Sequence, residues 1–166
     1  MIRLSLVALW LVLSVTNARA QEVTAYLTRH AEKETTGAGN PDLTQKGESR
    51  AERYIQLLQH VPITAVYSTD TVRTRATAAP LARAKNVPVQ IYQVGKLNRR
   101  DLIEQHAGEA IFIVGHSNTI PKMINRLLNS DQFTEIDEQD YDDFFIVALR
   151  DKTDSSATHL LLPLMP

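Results

Sequence analysis

From residue 23 onward, short runs of strand-forming residues alternate with segments of helical periodicity, and this alternation limits the possible folds more than any other feature. The sequence predicts strands over residues 23–28, 65–68, 87–92, 110–114, 144–149 and 159–162, and helices over residues 44–59, 71–84, 98–106 and 118–128. Such alternation is typical of a mostly parallel sheet with helices on both faces. We therefore predict an α/β fold, a three-layer sandwich around a mostly parallel central sheet.

Three residues mark where the predicted helices begin or break. Thr44 is placed to cap the first helix. Pro121 falls in the first turn of the last helix, where proline is tolerated. Pro80 lies inside the second helix, so we expect that helix to bend or to be interrupted there.

The first twenty residues have the pattern of a secretory signal peptide. Arg3 precedes an apolar run over residues 4–15, and Ala18-Arg19-Ala20 fits a small-x-small cleavage site. This run is shorter than the roughly 20 apolar residues that a membrane-spanning helix needs. No repeat or linker divides the remainder, so we expect a single domain over residues 21–166 that is periplasmic or secreted and has no stable membrane insertion.

The composition argues against several classes of function. Lys and Arg total 18 against 19 Asp and Glu, so the chain has no excess of positive charge to bind nucleic-acid phosphates. It contains no cysteine, which excludes disulfides, thiolate nucleophiles and iron–sulfur clusters. We therefore expect no nucleic-acid partner.

Two of the predicted strands lead directly into a histidine. The first continues into Arg29-His30 and the fourth into Gly115-His116, while Arg73 lies in the helix after the second strand. Ligands bind beyond the carboxyl ends of the strands in such sheets. Guanidinium groups repel a metal cation and favour an anion, so a phosphoryl group fits these side chains best. An imidazole is neutral and nucleophilic around neutral pH, and His30 could attack phosphorus directly.

Four separate segments, taken in order, resemble the histidine phosphatase superfamily, also called phosphoglycerate mutase-like. They are Arg29-His30-Ala31-Glu32-Lys33, Leu43-Thr44-x-x-Gly47, Tyr67-Ser68-x-x-x-x-Arg73-Thr74-Arg75-Ala76-Thr77-Ala78 and Val114-Gly115-His116. The resemblance covers residues 23 to about 128. It implies the phosphoglycerate mutase-like form of the predicted sandwich, and a phosphatase that requires no metal or other cofactor.

The resemblance also implies a role for each residue of the predicted site. His30 would be the nucleophile that forms a phosphohistidine, which water then hydrolyses. Arg29 and Arg73 would hold the phosphoryl oxygens, and His116 would donate a further hydrogen bond to the substrate. Residues two apart in a helix point to different sides, so only one of Arg73 and Arg75 can face the pocket, and the family's spacing from Ser68 implies that it is Arg73. We expect Arg75 to form a surface ion pair, with contact to a substrate at the rim as the alternative.

A phosphomonoester releases an alkoxide, a poor leaving group that such enzymes usually protonate with a carboxylic acid. Asp70 and Glu32 are the candidate proton donors, although Asp70 stands where a helix cap is expected. Some members of the family carry Asp directly after the second histidine, where this chain has Ser117. Without an acid, substrates with good leaving groups, including phosphohistidine itself, are favoured.

Two alternative functions remain open from the sequence. A non-catalytic module could recognise phosphate with the same pocket. A serine hydrolase could use Ser117, because residues 115–119 resemble a nucleophile elbow, although Thr119 stands where the elbow needs glycine. The acidic stretch 131–143 is expected to form a solvated surface loop.

The substrate is predicted only as a class. The short spacing between Ala31 and Tyr67 leaves no segment for a separate helical cap, so the chain resembles the small phosphatases of the family more than its phytase-like members. Exported relatives include a phosphatase of lipopolysaccharide core heptose phosphate. The resemblance therefore implies a phosphorylated small molecule, such as an envelope sugar phosphate, a soluble sugar phosphate or a nucleotide.

Overall fold

The computed structural model describes residues 22–36, 39–150 and 155–164, and the predicted signal peptide lies outside these residues. Their strands are β1 (Val23–Arg29), β2 (Ile63–Ser68), β3 (Val89–Ile91), β4 (Ala110–Gly115), β5 (Asp143–Leu149) and β6 (Ser156–Leu161). Their helices are α1 (Gln45–Leu57), α2 (Val72–Lys85), α3 (Arg99–His106) and α4 (Thr119–Leu128). Within the described ranges, no helix has the length and apolar character needed to cross a membrane.

The strands form one mixed sheet in the order β3-β2-β4-β1-β5-β6. β1, β2, β3 and β4 pair in parallel, whereas β5 runs antiparallel to β1, and β6 antiparallel to β5. The register of the central pair places Arg29 opposite Gly115. The predicted α/β fold is confirmed, and the carboxyl ends of β1 and β4 lie side by side.

Helices cover both faces of this sheet. On one face, Tyr54 of α1 and Leu81 of α2 pack with Phe112 of β4, and on the other, Leu102 of α3 and Met123 of α4 pack in a second cluster. All six residues of β4 are buried, as expected for a central strand with a hydrophobic layer on each side. The two layers fix β4 and therefore the position of the residues that follow it.

The helix ends agree only in part with the sequence predictions. Thr44 caps α1 by accepting a hydrogen bond from the backbone N–H of Gly47 at 3.1 Å, as predicted. The cap of α2 is Thr71, one residue after Asp70, because the Thr71 hydroxyl accepts from the N–H of Thr74. α2 also continues through Pro80 to its end at Lys85, so it is not interrupted.

Candidate active site

The ends of β1 and β4 bring the two predicted histidines together. The ring centroids of His30 and His116 are 5.5 Å apart, and the backbone N–H of His30 donates to the carbonyl of Gly115 at 2.9 Å. Arg73, in the first turn of α2, reaches the same place and its Nη2 lies 3.4 Å from Nδ1 of His116. The structure therefore brings Arg29, His30, Arg73 and His116 into one cluster.

His30 is held in one orientation and in its neutral form. Its Nδ1 lies 2.8 Å from the carbonyl oxygen of Ala31, and since a carbonyl only accepts, Nδ1 carries the proton. The lone pair is then on Nε2. Burial, together with the charges of Arg29 and Arg73, lowers the pKa of His30 to about 3. At neutral pH the imidazole is therefore unprotonated at Nε2.

His116 is held between a hydroxyl and a guanidinium. Arg73 can only donate, so Nδ1 of His116 accepts from it, and Nε2–H donates to the Thr69 hydroxyl at 2.9 Å. That hydroxyl in turn donates to Thr74. Burial, followed by the charges of Arg73 and Arg29, lowers the pKa of His116 to about 4. A phosphoryl anion would raise this pKa again and favour a donating Nδ1–H.

Arg29 is anchored on one side and leaves donors free on the other. Its side chain has 0% exposure, and Nη1 donates to the backbone carbonyls of Asp137 at 2.8 Å and Asp140 at 2.6 Å. Nε and Nη2 of Arg29, and Nε of Arg73, have no hydrogen-bond partner among the described residues. Buried donors without partners are costly. An anion with several oxygens is the ligand that would satisfy all of them.

Glu32 lies next to this cluster but is engaged in an ion pair. Arg50 donates to it through Nη2 at 2.8 Å and Nε at 2.9 Å, and Lys46 approaches it at 3.4 Å. Burial alone would raise the pKa of Glu32, but the hydrogen bonds from Arg50 outweigh it, so the pKa lies below its usual value. A carboxylate held ionised in this way does not donate protons, and the prediction of Glu32 as the acid is not supported.

Asp70, the other predicted donor, points to a different partner. It forms an ion pair with Arg75, and both side chains are more than half exposed. No contact joins Asp70 to His30 or His116 among the described residues. Arg75 thus forms the surface ion pair predicted for it, and Asp70 is neither the helix cap nor part of the cluster.

The loop between α4 and β5 contributes to the site, although the sequence predicted only a solvated surface loop. Besides the two carbonyls that accept from Arg29, it supplies Tyr141. The ring centroid of Tyr141 lies 4.2 Å from the guanidinium carbon of Arg29 and 6.2 Å from the ring centroid of His30. Glu138 lies at the same place, with Oε2 at 3.7 Å from Nη2 of Arg29. The Tyr within the acidic run is the only sequence signal that could have indicated this contact.

Ser117 connects this loop to the end of β4. Its backbone carbonyl accepts from the N–H of Ile136 at 3.1 Å, and its hydroxyl donates to Glu138. Both nitrogens of His116 are engaged by Thr69 and Arg73. Ser117 therefore has no imidazole to activate it, and the structure does not support the serine hydrolase alternative.

Two glycines of the sequence motifs are explained by close packing. A Cβ on Gly47 would lie 2.2 Å from the carbonyl oxygen of Glu32, and one on Gly115 would lie 2.8 Å from a methyl group of Ile120. The first contact lets α1 support the segment after His30. In the described part of the chain, no group of three or more His, Asp and Glu side chains is arranged to hold a metal ion.

Comparison with known sequences points to one superfamily. Residues 25–94 match the sequence model described as the histidine phosphatase superfamily, branch 1. Phosphoserine phosphatase 1 of Hydrogenobacter thermophilus is 36% identical over 69 residues, which are 38% of this chain and 33% of that protein. The match thus spans about a third of the length of this curated relative.

Solved structures extend the similarity to most of the fold. The protein histidine phosphatase SixA complexed with tungstate has a TM-score of 0.64 at 14% identity, covering 83% of this chain and 96% of that one. A phosphoserine phosphatase mutant from Entamoeba histolytica, in complex with phosphoserine, has a TM-score of 0.59 at 16% identity, covering 82% and 95%. At these identities the similarity shows the fold, which is that of the phosphoglycerate mutase-like proteins.

Proposed function

We propose that this chain, whose residues 25–94 carry the sequence pattern of the histidine phosphatase superfamily, is a phosphatase that works through a phosphohistidine on His30. The reaction needs no metal, because the guanidinium groups of Arg29 and Arg73 supply the positive charge that the phosphoryl oxygens require. The sequence of the first twenty residues supports a periplasmic or secreted location.

One observation carries the proposal: a neutral imidazole whose Nε2 holds the lone pair lies beside buried guanidinium donors that have no hydrogen-bond partner among the described residues. His30 Nε2 attacks phosphorus and the bond to the leaving group breaks, while Arg29 and Arg73 hold the phosphoryl oxygens. Water then attacks phosphorus, the bond to Nε2 breaks, and inorganic phosphate is released. His116 donates to a phosphoryl oxygen once the anion has raised its pKa.

The ion pairs of Glu32 and Asp70 narrow the class of substrate that we expect the site to hydrolyse. Neither carboxylate is free to protonate an alkoxide, which favours substrates whose leaving group is stable without a strong acid. Aryl phosphates and phosphoramidates such as phosphohistidine meet this condition. The relatives named as phosphatases of protein histidine and of phosphoserine support a phosphorylated side chain or small molecule as substrate. An exported enzyme would also meet envelope sugar phosphates, but these release an alkoxide and are less favoured for that reason.

The direct test is hydrolysis of p-nitrophenyl phosphate near pH 6 in the presence of a chelator. We expect turnover by the wild type and a loss of at least about 10³-fold for His30→Ala, since the nucleophile is removed. His60→Ala, a change at an exposed histidine, is the matched control and should leave the rate unchanged. Folded wild-type protein that binds vanadate without turnover would contradict the proposal and indicate a non-catalytic phosphate-recognising module.

Export is tested separately. When the full chain is expressed in a Gram-negative host with a secretory pathway, we expect it in the periplasm with Gln21 as its first residue. Retention of residues 1–20 on a cytoplasmic protein would contradict export and leave the phosphatase proposal intact.

A further inference from the structure

A carboxylate from the loop between α4 and β5 lies directly beside the place assigned to the phosphoryl group. Oε2 of Glu138 is 3.7 Å from Nη2 of Arg29, an ion-pair distance that is too long for a hydrogen bond, and this Nη2 has no hydrogen-bond partner among the described residues. A phosphoryl oxygen bound to Nη2 would therefore have the Glu138 carboxylate as a neighbour. The negative charge of Glu138 also acts on the pKa of His116, where it opposes the larger lowering caused by burial and by Arg73 and Arg29.

Glu138 is fixed at one oxygen and open to water at the other. The hydroxyl of Ser117 donates to Oε1, and Ser117 is itself buried at the end of β4. The Glu138 side chain is 73% exposed, so solvent reaches Oε2. The hydrogen bond from the buried Ser117 therefore holds the exposed Glu138 carboxylate beside Arg29.

Glu138 is also ionised at neutral pH. The hydrogen bond from Ser117, assisted by the charges of Arg29 and Lys33, keeps the pKa of this carboxyl below its usual value against the opposing effect of burial. An ionised carboxylate cannot protonate a leaving group, but it can accept a proton from water.

The other carboxylates around the site have different partners. In the same loop, the Asp137 carboxylate accepts from the N–H of Gln139 at 2.8 Å and the Asp140 carboxylate accepts from the N–H of Asp142 at 2.9 Å. Glu32 and Asp142 both bind Arg50, Asp70 binds Arg75, and Asp143 lies 2.5 Å from Nε2 of His159. Glu138 is the one carboxylate of the described residues that forms an ion pair with Arg29.

We propose that Glu138 is the general base that activates water to hydrolyse the phosphohistidine on His30, and that Ser117 positions it. The inference rests on the function proposed above. The water oxygen forms a bond to phosphorus, the bond between phosphorus and Nε2 breaks, and its electron pair returns to the imidazole. Glu138 takes one proton from the water and releases it to solvent through its exposed side.

This assignment separates the two chemical steps. In the first step, the phosphoryl group is transferred to His30 without the help of a carboxylic acid, so the leaving group must be stable as an anion without protonation. The second step is assisted by a base. Removing the base should therefore slow the second step and leave the first intact.

The test uses the full protein with p-nitrophenyl phosphate, rapid-quench kinetics and intact-protein mass. Glu138→Gln keeps the acceptor for Ser117 and removes the base. We expect kcat to fall at least about 10²-fold and kcat/KM to stay within about threefold of wild type, since base catalysis contributes on this scale. A burst of nitrophenolate equal to the enzyme concentration and accumulation of phosphoenzyme should accompany the change.

Two further variants give the readout its controls. Glu135→Gln removes a charge from the same loop at an exposed residue that pairs with Lys122, and it should behave as wild type. Ser117→Ala removes the anchor of Glu138, so kcat should fall by less than in Glu138→Gln, again with accumulation of phosphoenzyme.

The contrary results are distinguishable. Wild-type kcat in Glu138→Gln, with no accumulated phosphoenzyme, would overturn the role of Glu138 and leave the nucleophile His30 standing. Equal decreases in kcat and kcat/KM without a burst would place Glu138 in the first step and also overturn the proposal. Absence of both turnover and phosphoenzyme in the wild type would overturn the phosphatase function itself.

Discussion

At the scale of single residues, the site depends on two imidazoles that are kept neutral by burial among guanidinium groups. His30 and His116 have pKa values of about 3 and about 4, well below the ordinary value of a histidine. The unfolded chain therefore binds more protons than the folded chain between these values and about pH 6.5. Above about pH 6.5 both imidazoles are neutral in the folded and the unfolded chain, and the free energy of unfolding has its full value. As the pH falls from there toward the folded pKa values, protons bind to the unfolded chain and the folded protein loses stability.

We accordingly expect the free energy of unfolding to decrease by about 1–2 kcal/mol per histidine between pH 7 and pH 5. His30→Asn should make this dependence shallower, because the variant residue does not titrate, whereas Ser49→Ala, an exposed change that removes no titratable group, should not change it. Urea titrations at the two pH values measure the effect. The same pH dependence in His30→Asn and wild type would contradict the assignment.

The two arginines at the start of α2 offer a matched pair. Arg73 contacts His116, whereas Arg75 pairs with Asp70 at the surface. A lysine cannot reproduce the forked donors of a guanidinium. We expect Arg73→Lys to lower kcat/KM for an aryl phosphate by about 10–100-fold and Arg75→Lys to leave it within twofold. Similar losses in both variants would show that Arg73 has no special place in the site.

At the scale of elements, the amino end of α1 supports the segment that follows His30. The backbone N–H of Thr44 donates to the carbonyl of Glu32 at 2.9 Å, and Gly47 leaves no room for a Cβ against the same carbonyl oxygen. Arg50, further along α1, binds the Glu32 side chain and that of Asp142. The helix thus joins the segment after His30 to the loop before β5.

We expect Gly47→Ala to destabilise the protein by about 2–3 kcal/mol, because the added methyl group must displace backbone. Activity at a temperature where the variant stays folded should fall as well, since the displaced segment carries His30. Ser49→Ala, an exposed change in the same helix, is the control. Urea unfolding that is identical in Gly47→Ala and Ser49→Ala would refute the close contact.

The sequence predicts the helices and their caps better than the contacts that a distant loop makes with Arg29. The sequence predicts Thr44 as a cap because its side chain acts on its own helix. Helix geometry shows only that Arg73 and Arg75 cannot both face the site, and the spacing from Ser68 in the family pattern is what favours Arg73. The loop that covers Arg29 was not foreseen, since it acts through the backbone carbonyls of Asp137 and Asp140, which any residue could provide. Asp70 and Thr71 are both good caps, and the local backbone decides between them.

At the scale of the whole molecule, the sheet order places the site where four segments converge. β1 and β4 are central neighbours, α2 follows β2 on the other side of β4, and β5 brings its preceding loop back over Arg29. Strand alternation predicted the parallel part of this arrangement. The antiparallel return of β5 beside β1 depends on long-range pairing, such as that of Leu27 with Phe145, which the periodicity does not encode.

Because Nε and Nη2 of Arg29 and Nε of Arg73 have no hydrogen-bond partner among the described residues, an oxyanion should stabilise the whole fold. Vanadate at about 100 times its Kd should add about 2.7 kcal/mol by mass action. For a chain of this size, that corresponds to a rise in Tm of about 5–10 °C. Scanning calorimetry should show the rise in wild type and a clearly smaller one in Arg73→Lys. Equal rises in both would contradict binding at this site.

The proposed reaction passes the phosphoryl group through a covalent bond to His30. This bond can be observed by mixing the protein with an aryl phosphate, quenching within one turnover in base, which preserves phosphohistidine, and locating the phosphate by peptide mass spectrometry. We expect phosphate on His30, on Nε2 by phosphorus NMR, and none in His30→Asn. Turnover with no phosphoenzyme at any quench time, or with phosphate on another residue, would contradict it.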